Sequence, residues 1–143
     1  ANAAGEILDF SVADATHYTQ AEKNFVQSIL NSVHAHDWLN PNALVNWNAT
    51  LATYTDALEN SNFTNKRGLR NTIDIAAHSA VEWYNESFGG GLPPTQESVY
   101  CAYQAIRDDI DFYSNFCDGA DDWSCLATSG VYSSISYIGC KYF

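Results

Sequence analysis

Positive charge is scarce in this chain. Six Lys and Arg stand against 17 Asp and Glu in 143 residues, a formal charge of −11. Nothing in such a surface would neutralise a phosphate backbone, which excludes non-specific nucleic-acid binding. It also disfavours docking to anionic membranes. No apolar run approaches the roughly 18 residues of a membrane span. Methionine is absent altogether. The opening Ala1-Asn2-Ala3-Ala4-Gly5 has neither the basic region nor the apolar core of a signal peptide, and reads as a mature end left by processing or trimming. Catalytic signatures are missing as well: there is no G-x-S-x-G, no H-E-x-x-H and no C-x-x-C. The expectation is a protein that is not an enzyme and that carries no metal and no cofactor.

What the chain does have is apolar and aromatic substance. Hydrophobic residues make up 46% and aromatics 14%, which argues for a packed core and against disorder. The length suits one domain over residues 1–143, large enough to bury roughly two thirds of its unfolded surface without depending on cross-links.

Helical periodicity dominates the pattern. Tyr18, Ala21, Phe25, Ile29 and Val33 recur three and four apart and predict a first helix from about Asp14 to His34. Asn40 as N-cap with Pro41 at the first helical position predicts a second. Its stripe is Leu44, Trp47, Leu51, Tyr54 and Leu58, a heptad-like row suited to an antiparallel bundle. A third is expected from Thr64 or Asn65 to Phe88, with Ala76, Ala77 and Ala80 on its apolar face implying close approach to a neighbour. The connection at 89–94, Gly-Gly-Gly-Leu-Pro-Pro, stops it. Thr95 caps a fourth, where Val99, Tyr103, Ile106, Ile110, Tyr113 and Cys117 step by 4-3-4-3-4. The last segment, from Trp123 to Cys140, has poor helix propensity. Yet between its cysteines a helical span of about 22 Å matches the roughly 24 Å between those of the fourth helix, whereas a strand would span about 50 Å, so a helix is expected there too. The expected fold is therefore all-α, an up-down bundle of four to five helices.

All four cysteines fall late: Cys101, Cys117, Cys125 and Cys140. An even count fits a disulfide framework and an oxidising compartment. Bridges within each segment would have to cross more than about 20 Å of helix, which disulfide geometry forbids. The crossed pairing asks a seven-residue loop to run nearly fully extended. The nested pairing, Cys117–Cys125 with Cys101–Cys140, needs neither. Cys101 and Cys117 point about 160° apart on a straight helix, so a wrapped C-terminal tail is expected to reach Cys101. Sequons at Asn48, Asn62 and Asn85 agree with an extracellular, secreted glycoprotein, though a chain rich in Asn, Ser and Thr carries some by chance.

Few residues offer site chemistry. His34-Ala35-His36-Asp37 is the most metal-like cluster, yet residues two apart on a helix diverge by about 160°. A histidine at a helix C-terminus also has a structural reason to be there, through the helix dipole. Asp74, His78 and Glu82 form an i, i+4, i+8 row, but it points away from the Ile73 face and reads as solvated. Asp108, Asp109, Asp111, Asp118, Asp121 and Asp122 are acidic without the spacing of a calcium loop. Aromatics on or beside the apolar faces remain. Trp47, Tyr54, Trp83, Tyr84, Tyr103 and Tyr113 are expected to line a site for a small hydrophobic ligand or lipid inside the bundle. The alternative is a self-assembling or protein-interaction component with no small ligand, in which exposed aromatics make a homo-oligomer contact.

Overall fold

A computed structural model describes residues 18–88, 96–116 and 140. Four helices account for nearly all of them: α1 (Gln20–Ala35), α2 (Ala43–Glu59), α3 (Lys66–Phe88) and α4 (Gln96–Phe116). No strand occurs among the described residues, and no helix there is long and apolar enough to cross a membrane.

Each start has a local cause. The first helix begins later than its apolar pattern predicts, at Gln20 rather than near Asp14. Thr19 and Glu22 form a reciprocal capping box: the Thr19 hydroxyl accepts from the Glu22 N–H at 3.2 Å, and the Glu22 carboxylate accepts from the Thr19 N–H at 2.8 Å. That box outweighs the periodicity of Tyr18, which stays outside the helix and buried. The second helix also starts later than expected. The Asn40 side chain accepts from the Asn42 N–H, 2.8 Å away, so Asn40-Pro41 folds into a side-chain-closed turn ahead of Ala43. For α3 the cap is Asn65, whose side chain accepts from the Gly68 N–H at 3.0 Å.

Contacts along the helices set their directions. Between α1 and α2, His36 meets Ala43 and Ser28 meets Tyr54. Between α2 and α3, Trp47 bonds Ala76, while Glu59 pairs with Arg70. Between α3 and α4, Asn71 bonds Tyr113. His34 packs on Tyr103 across α1 and α4. Low numbers pair with high numbers across α1–α2 and α2–α3, which makes those neighbours antiparallel. The short turns at 36–42 and 60–65 allow nothing else.

Inside, Val26, Ile29, Val33, Trp47, Leu58, Leu69, Ile106 and Ile110 are buried together. Each fully buried aliphatic chain contributes about 2 kcal/mol. Ala76 and Ala80 on α3, and Ala102 and Ala105 on α4, are buried too. Small side chains let two backbones approach closely, as expected from the alanines of the third helix. The fourth helix is buried on more than one stripe. Gln104, Asp109, Asp111 and Ser114 are withdrawn from water beside its apolar row, because α4 packs against both α1 and α3.

Cys101 and Cys140 are bonded, with Cα atoms 5.5 Å apart and a separation of 39 positions along the chain. Cys140 packs against the core beside buried Cys101, tying the end of the chain to the first turns of α4. The Cys117–Cys125 pairing and a helix within 123–139 lie outside the described residues.

Candidate functional site

Neither cavity among the described residues gathers the residues expected to bind a ligand. Trp47 is buried between α2 and α3, its indole N–H donating to the Ala76 carbonyl at 3.0 Å. Tyr113 is fully buried, and its hydroxyl accepts from Asn71 at 2.9 Å. Tyr54 stitches α1 to α2: its hydroxyl donates to the Ser28 carbonyl and accepts from the Ser32 hydroxyl, and its ring stands edge-on to Phe25. Trp83 is core. Tyr84 is half-buried and tilts over Trp38 at 6.5 Å. Of the six, Tyr103 lines a described cavity.

That cavity is a cleft of about 270 Å³ between the end of α1 with its following turn and the start of α4. One wall is His34, His36, Asp37, Trp38 and Leu39; the other is Tyr100 and Tyr103. The wall from α1 is rigid for identifiable reasons. The Trp38 indole N–H donates to the Val33 carbonyl at 2.9 Å, which folds the turn back over its own helix. His36 Nε2 lies 2.8 Å from the Ala43 carbonyl, and a carbonyl only accepts, so Nε2 carries the proton. The His36 ring packs on Trp38 and Trp47 at 4.4 and 5.2 Å. Opposite, Gln104 donates to the Tyr100 hydroxyl, and Tyr103 meets His34 edge-on at 5.0 Å. Burial raises the Tyr103 phenol above its ordinary value, with Arg107 pulling the other way. The Cys101 bridge sits between Tyr100 and Tyr103 in sequence and braces this wall.

The metal-like cluster of the sequence thus forms one side of an aromatic cleft. Among the described residues no three His, Cys, Asp or Glu side chains come together as a metal would need. Tyr100, Trp38 and Leu39 complete the cleft, though the heptad-like stripes do not pick them out. Their signal is a Trp-Leu pair in a turn facing an aromatic i, i+3 pair, legible only once the pairing of α1 with α4 is known.

A second cleft, of about 260 Å³, runs between α3 and α4. Asp74, His78 and Glu82 stand exposed along it, as their position off the Ile73 face implies. Asn71, Ile75 and Ser79 from α3 and Asp109 from α4 make its deeper lining. Asp109 is 8% exposed, and its carboxyl is pushed up to about 7. Burial is the main cause, and the charges of Glu82 and Asp108 add to it, while Ser79 offsets a part.

Of the sequons, Asn48 is exposed on α2 and Asn62 is exposed in the loop before α3. The Asn85 side chain lies outside the described residues. No protein-family model, curated protein or solved structure matches the chain.

Proposed function

We propose that the chain is an extracellular, non-enzymatic glycoprotein that binds a small hydrophobic molecule in the aromatic cleft between α1 and α4. The observation that carries this reading is the cleft's composition. A rigid floor of Trp38 meets two tyrosines, and Tyr100 is left 47% exposed beside the exposed Leu39. Exposed aromatic and aliphatic surface in a concave setting gains free energy when a ligand covers it, at roughly 25 cal/mol per Å². His34 and Asp37 at the edge supply the few polar groups that orient a ligand. The volume suits a ring system rather than a long acyl chain, which favours an aromatic ligand over a lipid. Secretion is supported by the Cys101–Cys140 bridge. Glycans at Asn48 and Asn62 and a second bridge between Cys117 and Cys125 belong to the same proposal.

A neutral naphthalene dye such as prodan tests it. Emission should rise and shift to the blue on binding, with a dissociation constant on the order of 10 μM. Tyr100→Ser, at an exposed position, should leave thermal unfolding unchanged and weaken binding about tenfold. No binding, or binding indifferent to Tyr100→Ser, overturns the assignment. A dimer by light scattering that Tyr100→Ser disperses would favour the self-assembly reading, for which exposed Leu39, Val45 and Tyr100 speak.

A further inference from the structure

The cleft between α3 and α4 has a different chemistry from the aromatic one, and its argument is independent of it. Three acidic side chains border it: Asp74 and Glu82 from α3, and Asp109 from α4. Acidic residues at a surface are ordinarily just solvated. Two features set this place apart. The first is that Asp109, though only 8% exposed, lines a cavity large enough for a small molecule. The second is Ser79. Its hydroxyl is on the cleft lining, the residue is 3% exposed, and its Oγ makes no hydrogen bond. It lies beside the Asp109 carboxyl, whose pKa its hydroxyl lowers, yet no contact it makes meets the geometry of a full hydrogen bond. A buried hydroxyl left without a partner costs about 1–3 kcal/mol. Folds keep such groups where a ligand completes them.

We propose that this cleft binds a small organic ammonium ion, its –NH₃⁺ head seated between the Asp109 carboxylate and the Ser79 hydroxyl. An ammonium offers three donors and no acceptor, which matches a carboxylate and a hydroxyl that both have acceptor capacity. Glu82 and Asp74 at the rim attract the cation and favour its entry. Ile75 gives the organic part an apolar wall. A bare divalent ion fits less well, since it needs several oxygens converging at about 2.0–2.6 Å, and no such set of three occurs among the described residues.

Binding moves a proton. Near neutral pH Asp109 is partly protonated in the folded chain, and a cation beside it favours the ionised form. The proton leaves to solvent as the ammonium enters. The charged groups around Asp109 are Asp74, His78 and Glu82 from α3 and Asp108 from α4. No residue of α1 lines the cleft.

Benzylammonium is the probe, titrated calorimetrically into the intact disulfide-bonded chain, with benzyl alcohol and calcium as controls. Binding of benzylammonium alone is expected. Asp109→Asn should weaken it about tenfold or more, through loss of a close opposite charge. Ser79→Ala should weaken it about threefold. Titrations at about pH 6.5 in two buffers of different ionisation enthalpy should report proton release in the native chain and in His78→Asn, but not in Asp109→Asn. Equal binding of benzyl alcohol, a preference for calcium, or affinity unchanged in Asp109→Asn overturns the proposal. So does the absence of any benzylammonium binding. Because Asp109→Asn is expected to fold at least as stably as the native chain, loss of binding in it cannot be put down to unfolding. A circular dichroism melt run beside each titration records this.

Discussion

Glu22 closes the start of α1 and Asp109 sits along α4; both acids are withdrawn from water, Glu22 entirely and Asp109 to 8% exposure. Burial pushes each carboxyl upward. At Glu22 the push is overcome. The Thr19 N–H at 2.8 Å and the Asn65 N–H at 2.6 Å donate to its two oxygens, and the Thr64 hydroxyl adds a third bond at 3.4 Å. Its carboxyl ends below the ordinary value. At Asp109 the push wins, and two neighbouring negative charges reinforce it. One acid is a joint that fastens the start of α3 to the cap of α1. The other is held in a form the fold itself does not favour. That difference separates architecture from a candidate site, and it is visible without knowing any ligand.

The most damaging way to break the comparison is Glu22→Ala. It strands the Thr19 and Asn65 backbone donors at a partly buried joint, and a loss of about 2–3 kcal/mol is expected by urea denaturation. The pH dependence follows from the direction of the shift. A carboxyl lowered by folding contributes stability above its unfolded value, near 4.5, and that contribution fades as pH falls through the lower folded value. Glu22→Ala should therefore lose the least, relative to the native chain, in strong acid.

Asp109→Asn sharpens the comparison by reversing its sign. The folded carboxyl titrates near 7 against an ordinary 3.8, so the folded chain binds its proton more tightly than the unfolded one. Stability from this group is full below about 4 and declines as pH rises toward 7. A neutral amide of the same shape removes that decline. At pH 8 the variant should be more stable by about 2 kcal/mol, short of the roughly 4 kcal/mol that a three-unit shift represents, because the amide needs partners of its own. At pH 4 the two chains should unfold alike. A variant that is less stable at pH 8 would place Asp109 with Glu22 among the joints.

Much of this architecture is written in residue patterns. The 4-3-4 steps of α4 and the alanines of α3 announce a helical bundle with one close seam, and loop and helix spans single out Cys101–Cys140 among the possible bridges. Starts were less legible. Apolar periodicity carries α1 back to Asp14, whereas the Thr19–Glu22 box sets its start at Gln20; a cap depends on side chains that periodicity does not count. The sites were harder still. Asp109 reads as one of a run of acids, because a stripe drawn through Ile106, Ile110 and Tyr113 leaves no room for a second buried row. Among the described helices α4 packs against two, α1 and α3, and each can cover a row. Trp47 and Tyr113 read as cavity lining for the same reason in reverse: composition shows aromatic surface, and only packing shows it already covered.

The finest distinction lies in the hydroxyls beside the two acids. Thr19 accepts from the Glu22 N–H and closes the capping box. Thr19→Ala should cost about 1 kcal/mol, the usual worth of an N-cap. Ser79 makes no hydrogen bond, so Ser79→Ala removes a buried polar atom that the fold does not satisfy, at the expense of a weak influence on Asp109. The expected change is a gain of about 1 kcal/mol, the low end of what an unpaired buried hydroxyl costs. Chemical denaturation of both variants at the same pH is enough to compare them. Equal losses would mean that Ser79 supports the helix pair as Thr19 supports its cap, and the α3–α4 cleft would then be a packing feature. A loss at Thr19 with none at Ser79 leaves that hydroxyl without a structural use, and its place beside Asp109 on the lining of an open cleft is then what requires a ligand.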